Sequence, residues 1–119
     1  MRILLIEDDP DIFTILDILF QREKFELVWA ETAQEALQIF DEALPDLIIS
    51  DLGLPDVDGM FLVQVFKQKS PKTPVILLTA RDNEADKASM LAAGAQDYVL
   101  KPFEPEEFIK RVKVFQTAS

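Results

Sequence analysis

The sequence contains no cysteine and no histidine. Without cysteine there is no disulfide framework and no thiolate to serve as nucleophile or soft metal ligand. Without histidine the commonest general base and metal ligand are missing, and the chain has no phosphohistidine of its own. Positive charge is also scarce: 12 lysines and arginines stand against 22 acidic residues, for a net charge of −10. That balance argues against direct nucleic-acid binding, which needs cationic contacts to phosphate, and suits bound cations and basic partners. No apolar run approaches the roughly 20 residues of a membrane span. The opening MRILLIEDD is too short and too acidic for a signal peptide. The expectation is a cytoplasmic protein that does not engage a membrane.

What is present is enough to build one core. Hydrophobic residues make up 49% of 119 positions, which separates the chain from disordered acidic tails. Short apolar runs recur: RILLI (2–6), LVWA (27–30), DLIIS (46–50), PVILLT (74–79) and DYVL (97–100). Helical stripes lie between them. Ile12, Ile15, Leu16, Leu19 and Phe20 form one; Ala33, Ala36, Leu37 and Phe40 a second; Leu62, Val65 and Phe66 a third. Phe108, Ile109, Val112 and Phe115 form the last. A helix over 83–93 offers mainly Ala85, Ala88, Leu91 and Ala92 to the core, so little area holds it. Five strands alternating with five helices predict an α/β fold: right-handed βαβ units, a parallel sheet and helices on both faces. Strands that are apolar throughout, not alternating, suit burial on both sides.

In open α/β sheets, ligands bind beyond the carboxyl ends of the strands. Glu7, Asp8 and Asp9 follow the first run, Asp51 the third, Thr79 closes the fourth, and Lys101 follows the fifth. If the first and third strands are neighbours, their carboxylates converge. Such a hard oxygen set suits Mg2+, which completes its shell with water and phosphate oxygens. An aspartate can attack a phosphoryl group and form an acyl phosphate. Phosphoryl transfer then needs little beyond in-line placement and neutralised oxygens, which a cation, Lys101 and the Thr79 hydroxyl can supply.

With IEDD after the first strand, SDLGLPDVDG around Asp51, LLTARD after the fourth and GAQDYVLKPF around the fifth, the chain resembles the receiver domain of two-component response regulators. The subfamily most similar is the OmpR type. The resemblance spans essentially residues 1–119 as one domain, with no DNA-binding domain in the sequence. It implies a flavodoxin-like, doubly wound sheet in the order 2-1-3-4-5. It implies a phosphoprotein of signal transduction and transcription regulation rather than an enzyme, phosphorylated on Asp51 by a partner histidine kinase. Asp8 would bind Mg2+ directly and Glu7 through water, with Asp51 and the Gly53 carbonyl completing the protein ligands. Lys101 would pair with the phosphate. Thr79 and Tyr98 would be the switch pair.

The same resemblance implies that activation produces a homodimer through the 83–93 helix, the 97–100 strand and the 105–115 helix. Ala88, Leu91 and Ile109 would make its apolar centre, and Lys87, Asp97, Glu107 and Arg111 its charged rim. Glu107 and Arg111, four apart on one helix, could instead satisfy each other. By the same resemblance Gly53 and Arg81, two residues past Asp51 and Thr79, would flank the path of an attacking water and set the dephosphorylation rate, and Gly53 stands where the family commonly has a bulkier side chain. Trp29 is expected to be remote from the site and a poor optical reporter.

Each residue alone has a plainer role. Asp9 before Pro10 reads as a helix cap, Thr79 as another, Tyr98 as an edge residue and Lys101 as a surface lysine. A flavodoxin-like cofactor binder would need a phosphate loop rich in serine, threonine and glycine where EDDPD stands. A Mg2+-dependent phosphohydrolase would need a general acid beside the single nucleophilic aspartate. A non-phosphorylated pseudo-receiver, acting only through protein contacts, would have no use for the intact acidic set.

Overall fold

Successive side chains of a strand point to opposite faces, and here that alternation divides one sheet between two cores. The structure, a computed structural model, describes residues 1–116. Residues 117–119, the end of the expected 1–119 domain, lie outside the described residues. The elements are β1 (Arg2–Ile6), α1 (Pro10–Arg22), β2 (Glu26–Ala30), α2 (Ala33–Ala43) and β3 (Leu47–Asp51). They continue with α3 (Gly59–Lys69), β4 (Val75–Thr79), α4 (Glu84–Ala93), β5 (Asp97–Leu100) and α5 (Pro105–Lys113). Every strand pair is parallel, and the order is β2-β1-β3-β4-β5. The expected fold class and strand order are the observed ones.

On one face, Leu4, Ile6, Ile48, Val75 and Leu77 pack with Phe40 of α2, Leu62 and Phe66 of α3, and Met90 of α4. On the other, Ile3, Leu5, Leu47, Ile49, Ile76 and Leu78 pack with Leu16 and Phe20 of α1 and Phe108 and Val112 of α5. β3 and β4 are buried at every position, which is why their sequences carry no polar alternation.

Local chemistry sets the helix ends. Asp9 caps α1, its side chain accepting from the Asp11 N–H, with Pro10 opening the helix. Thr32, Asp58 and Asn83 cap α2, α3 and α4 in the same way. Gly94 ends α4 at φ 114°, a left-handed conformation that glycine adopts without strain.

Three expectations about helix packing are corrected. In α4, Ala85, Ala88, Leu91 and Ala92 all face solvent, and Leu91 is 52% exposed. The single buried side chain of the helix is Met90, flanked by half-buried Asp86, Lys87 and Ala93. One long, adaptable thioether outweighs a stripe of alanines in setting the rotation of a helix. In α1, Ile15 lies outside the packed stripe, and Phe13 takes part in its place. In α5, Ile109 is only 3% exposed and belongs to the core with Phe108 and Val112. It holds the helix to the sheet and is not available as the centre of an external face.

Candidate functional site

Ile6 of β1 and Ser50 of β3 are register partners. The next residues, Glu7 and Asp51, are therefore carried side by side at the carboxyl end of the sheet. Ligand oxygens of Glu7, Asp8 and Asp51 lie within 4.8 Å of one another. Glu7 is fully buried and Asp51 nearly so, while Asp8 is exposed and marks the open side.

Lys101 arrives from the end of β5. Its Nζ donates to Glu7 Oε2 at 2.9 Å and lies 3.2 Å from Asp51 Oδ1. Its backbone N–H donates to the Thr79 carbonyl at 2.8 Å, and its bond to Pro102 is cis. Burial pushes the Glu7 carboxyl above its ordinary range, the Lys101 hydrogen bond opposes this, and the Asp51 charge adds to it. For Lys101, burial works against the charge, but the hydrogen bond and charge of Glu7, with Asp51, outweigh it and raise the ammonium.

The loop after Asp51 is held at several points. Gly53 and Asp58 form an antiparallel bridge, Leu52 and Leu54 are buried, and the Gly59 N–H donates to the Leu52 carbonyl at 2.8 Å. Gly59 has no room for a side chain: a Cβ there would meet the Asp51 carbonyl oxygen and Leu52 Cα at 2.7 Å. Asp56 reaches back to α2 and accepts from the Ala33 and Gln34 N–H groups, both at 3.0 Å. Burial acts to raise its carboxyl, but the backbone bonds from Ala33 and Gln34 prevail and lower it. Arg81 lies 3.8 Å from Asp58, the cap of α3. The contacts of Asp56 and Arg81 run to residues distant in sequence and left no local signal.

Thr79 is 2% exposed, and its Oγ1 accepts from the Arg81 N–H at 2.9 Å. Tyr98 is half-buried, with the Lys87 ammonium 5.9 Å from its ring centroid. Lys87 also pairs with Asp82 at 3.2 Å and Glu84 at 3.5 Å. Arg111 binds both oxygens of Asp97, at 2.8 and 2.9 Å, so its partner is on β5 and not Glu107. A cleft of about 350 Å³ lies between these residues, lined among others by Lys87, Tyr98, Phe103, Glu107 and Arg111. Ala88 and Leu91 are exposed on α4.

Trp29 is not remote. Its indole Nε1–H donates to the Glu7 carbonyl at 2.7 Å, beside the carboxylate cluster. The contact runs from the edge strand β2 across to the end of β1, between positions far apart in the sequence.

The donor set fits a hard divalent cation. Three carboxylates gather, two of them in contact with the Lys101 ammonium, and the histidine and cysteine that would favour a softer metal are missing from the sequence. The exposed Asp8 side leaves room for water in the coordination shell. An aspartate oxygen, a cation site and a lysine together suit phosphoryl chemistry at Asp51.

Comparison with known proteins agrees in fold and family. Residues 3–113 match the response regulator receiver domain. The chain belongs to this family. This receiver domain is 41% identical over 113 residues to the virulence transcriptional regulatory protein PhoP of Shigella flexneri, covering 95% of this chain and 51% of PhoP. It is 35% identical over 113 residues to the transcriptional regulatory protein TrcR of Mycobacterium tuberculosis, covering 95% and 44%. The receiver domain thus spans about half the length of these curated relatives. Among solved structures, the chemotaxis response regulator CheY4 of Vibrio cholerae matches with a TM-score of 0.90 at 28% identity, over 97% of this chain and 98% of that one. The BeF3-activated N-terminal receiver domain of Klebsiella pneumoniae RstA matches with a TM-score of 0.90 at 27% identity, over 98% and 100%. Among the described residues, no helix is long and apolar enough to cross a membrane.

Proposed function

We propose that this receiver domain is a cytoplasmic phosphorylation switch in which Asp51 accepts a phosphoryl group from a phosphohistidine of a partner kinase. The observation that carries this reading is the meeting of Asp51 with Glu7, Asp8 and Lys101 at the carboxyl ends of neighbouring strands. An Asp51 carboxylate oxygen bonds to phosphorus as the P–N bond to the donor histidine breaks, leaving an acyl phosphate on the domain. Glu7, Asp8, Asp51 and the Gly53 carbonyl would hold Mg2+. When bound, that ion supplies positive charge to the phosphoryl oxygens.

The chain's own residues do the rest. Lys101 stands close enough to Asp51 to transfer its ion pair to the incoming phosphoryl oxygens. The small Gly53 leaves the approach open, since a Cβ there would meet nothing within 4 Å. The Thr79 hydroxyl exchanges its contact with the Arg81 N–H for a phosphoryl oxygen. Tyr98 then follows inward, and the α4–β5–α5 face changes. That relay controls homodimer formation or an output module, which in the named relatives is transcriptional. With −10 net charge, this domain acts through protein contacts and not on nucleic acid directly.

The test is intact mass after incubation with a small-molecule phosphodonor and Mg2+. One phosphoryl group should add to the parent and none to Asp51→Asn. Equal labelling of the two would remove the assignment.

A further inference from the structure

Trp29, on the edge strand β2, touches the starts and ends of two other elements. Its Nε1–H donates to the Glu7 carbonyl at 2.7 Å. Its ring stacks on Phe13, with centroids 4.0 Å apart and planes 13° from parallel. Phe13 belongs to the first turn of α1, where its N–H donates to the Asp9 carbonyl at 3.1 Å. The Glu7 N–H is fixed as well, donating to the Ala30 carbonyl at 3.0 Å. Both backbone groups of Glu7 are therefore tied to β2, and the far side of the turn rests against the same indole.

Between those anchors lies Asp8. Its carboxylate has no hydrogen-bond or ion-pair partner among the described residues, although it lies near two other carboxylates. Like charges at this spacing push the turn open, and nothing on Asp8 itself resists. The restraint comes from either side: the Asp9 N–H donates to Glu7 Oε1 at 3.2 Å, and Trp29 holds the Glu7 carbonyl.

We infer that Trp29 is a positioning residue for the acidic cluster, holding the Glu7–Asp8 turn in the geometry that accepts a divalent cation. The inference rests on reading that cluster as the Mg2+ site. It has an optical consequence. The indole N–H is bonded to the carbonyl of a cluster residue, so cation binding alters the electrostatic field on the ring and hence its fluorescence.

Trp29→Phe keeps an aromatic ring to stack on Phe13, removes the donor and shortens the ring system. Calorimetric titration with Mg2+ at fixed ionic strength, on parent and variant, separates positioning from packing. The parent should bind Mg2+, and its tryptophan emission should change with the calorimetric midpoint. Trp29→Phe should bind roughly three- to tenfold more weakly, because the freed turn must be reordered on binding and one hydrogen bond sets the scale, while its metal-free melting temperature falls by only a few degrees and the domain stays folded. Unchanged affinity in a folded Trp29→Phe would overturn the inference and leave the Mg2+ site standing. A parent that binds no Mg2+ would overturn the site reading, and this inference with it. If Trp29→Phe does not fold, the parent decides: emission that tracks Mg2+ supports the positioning role, and silent emission refutes it.

Discussion

The Lys101 ammonium donates to the Glu7 carboxylate across 94 residues of sequence, at 2.9 Å. The most buried acid of the site is thus neutralised from the far end of the sheet. Removing that cation should leave Glu7 in a medium that disfavours its charge. Lys101→Ala should therefore cost the metal-free domain about 3 kcal/mol near neutral pH, as expected for breaking a buried pair.

The pH dependence of that loss follows from the raised Glu7 carboxyl. A group raised in the folded state contributes stability that is present below its unfolded value and lost as pH rises through its folded value. In Lys101→Ala, with the opposing hydrogen bond gone, acidification from neutral pH should protonate Glu7 and recover much of the loss. Urea denaturation at two pH values without metal measures this. A penalty that stays constant with pH would show that Glu7 is not the strained partner.

Asp8→Ala removes the exposed member of the cluster. It should sharply weaken Mg2+ binding and raise the metal-free melting temperature modestly, because repulsion among carboxylates is relieved. Melting curves with and without Mg2+ read both effects. Metal-induced stabilisation of undiminished size would mean that the cation is held elsewhere.

The two glycines near Asp51 should behave oppositely. Gly59→Ala drives a methyl into the Asp51 carbonyl and Leu52 Cα, backbone atoms that cannot turn aside. It should cost about 1–3 kcal/mol and disturb phosphorylation. Gly53→Ala meets open space and should leave stability nearly unchanged while altering the lifetime of the acyl phosphate. Denaturation and phosphate-release rates compare them. Equal stability of the two variants would contradict the packing described for Gly59.

Thr79→Val should still accept phosphate but pass the change on poorly. Amide spectra of residues 83–100 should shift on phosphorylation in the parent and much less in the variant. Shifts of the same size in both would break the proposed coupling.

The fold was legible because its signals are local. Runs such as LLI and VILLT are apolar at every position, and the polar residues Glu7, Asp51, Thr79 and Lys101 stand just where those runs stop. Parallel pairing then carries Glu7 and Asp51 together. What failed depended on distant partners. The rotation of α4 is set by Met90 entering the core, and Ile109 is needed under α5 before it can serve any outer face. Arg111 finds Asp97 on β5 although Glu107 has the helical spacing. Trp29 reaches Glu7 across a strand pair, a contact no spacing along the chain announces.

If Asp51 is the acceptor, the modified residue can be trapped chemically at that position. The domain is treated with a small phosphodonor and Mg2+, reduced with borohydride, digested and sequenced by mass spectrometry. An acyl phosphate is reduced to the alcohol, so homoserine is expected at position 51 and nowhere else. Homoserine at another aspartate, or an unmodified Asp51 in a domain whose mass has risen, would contradict the assignment of Asp51.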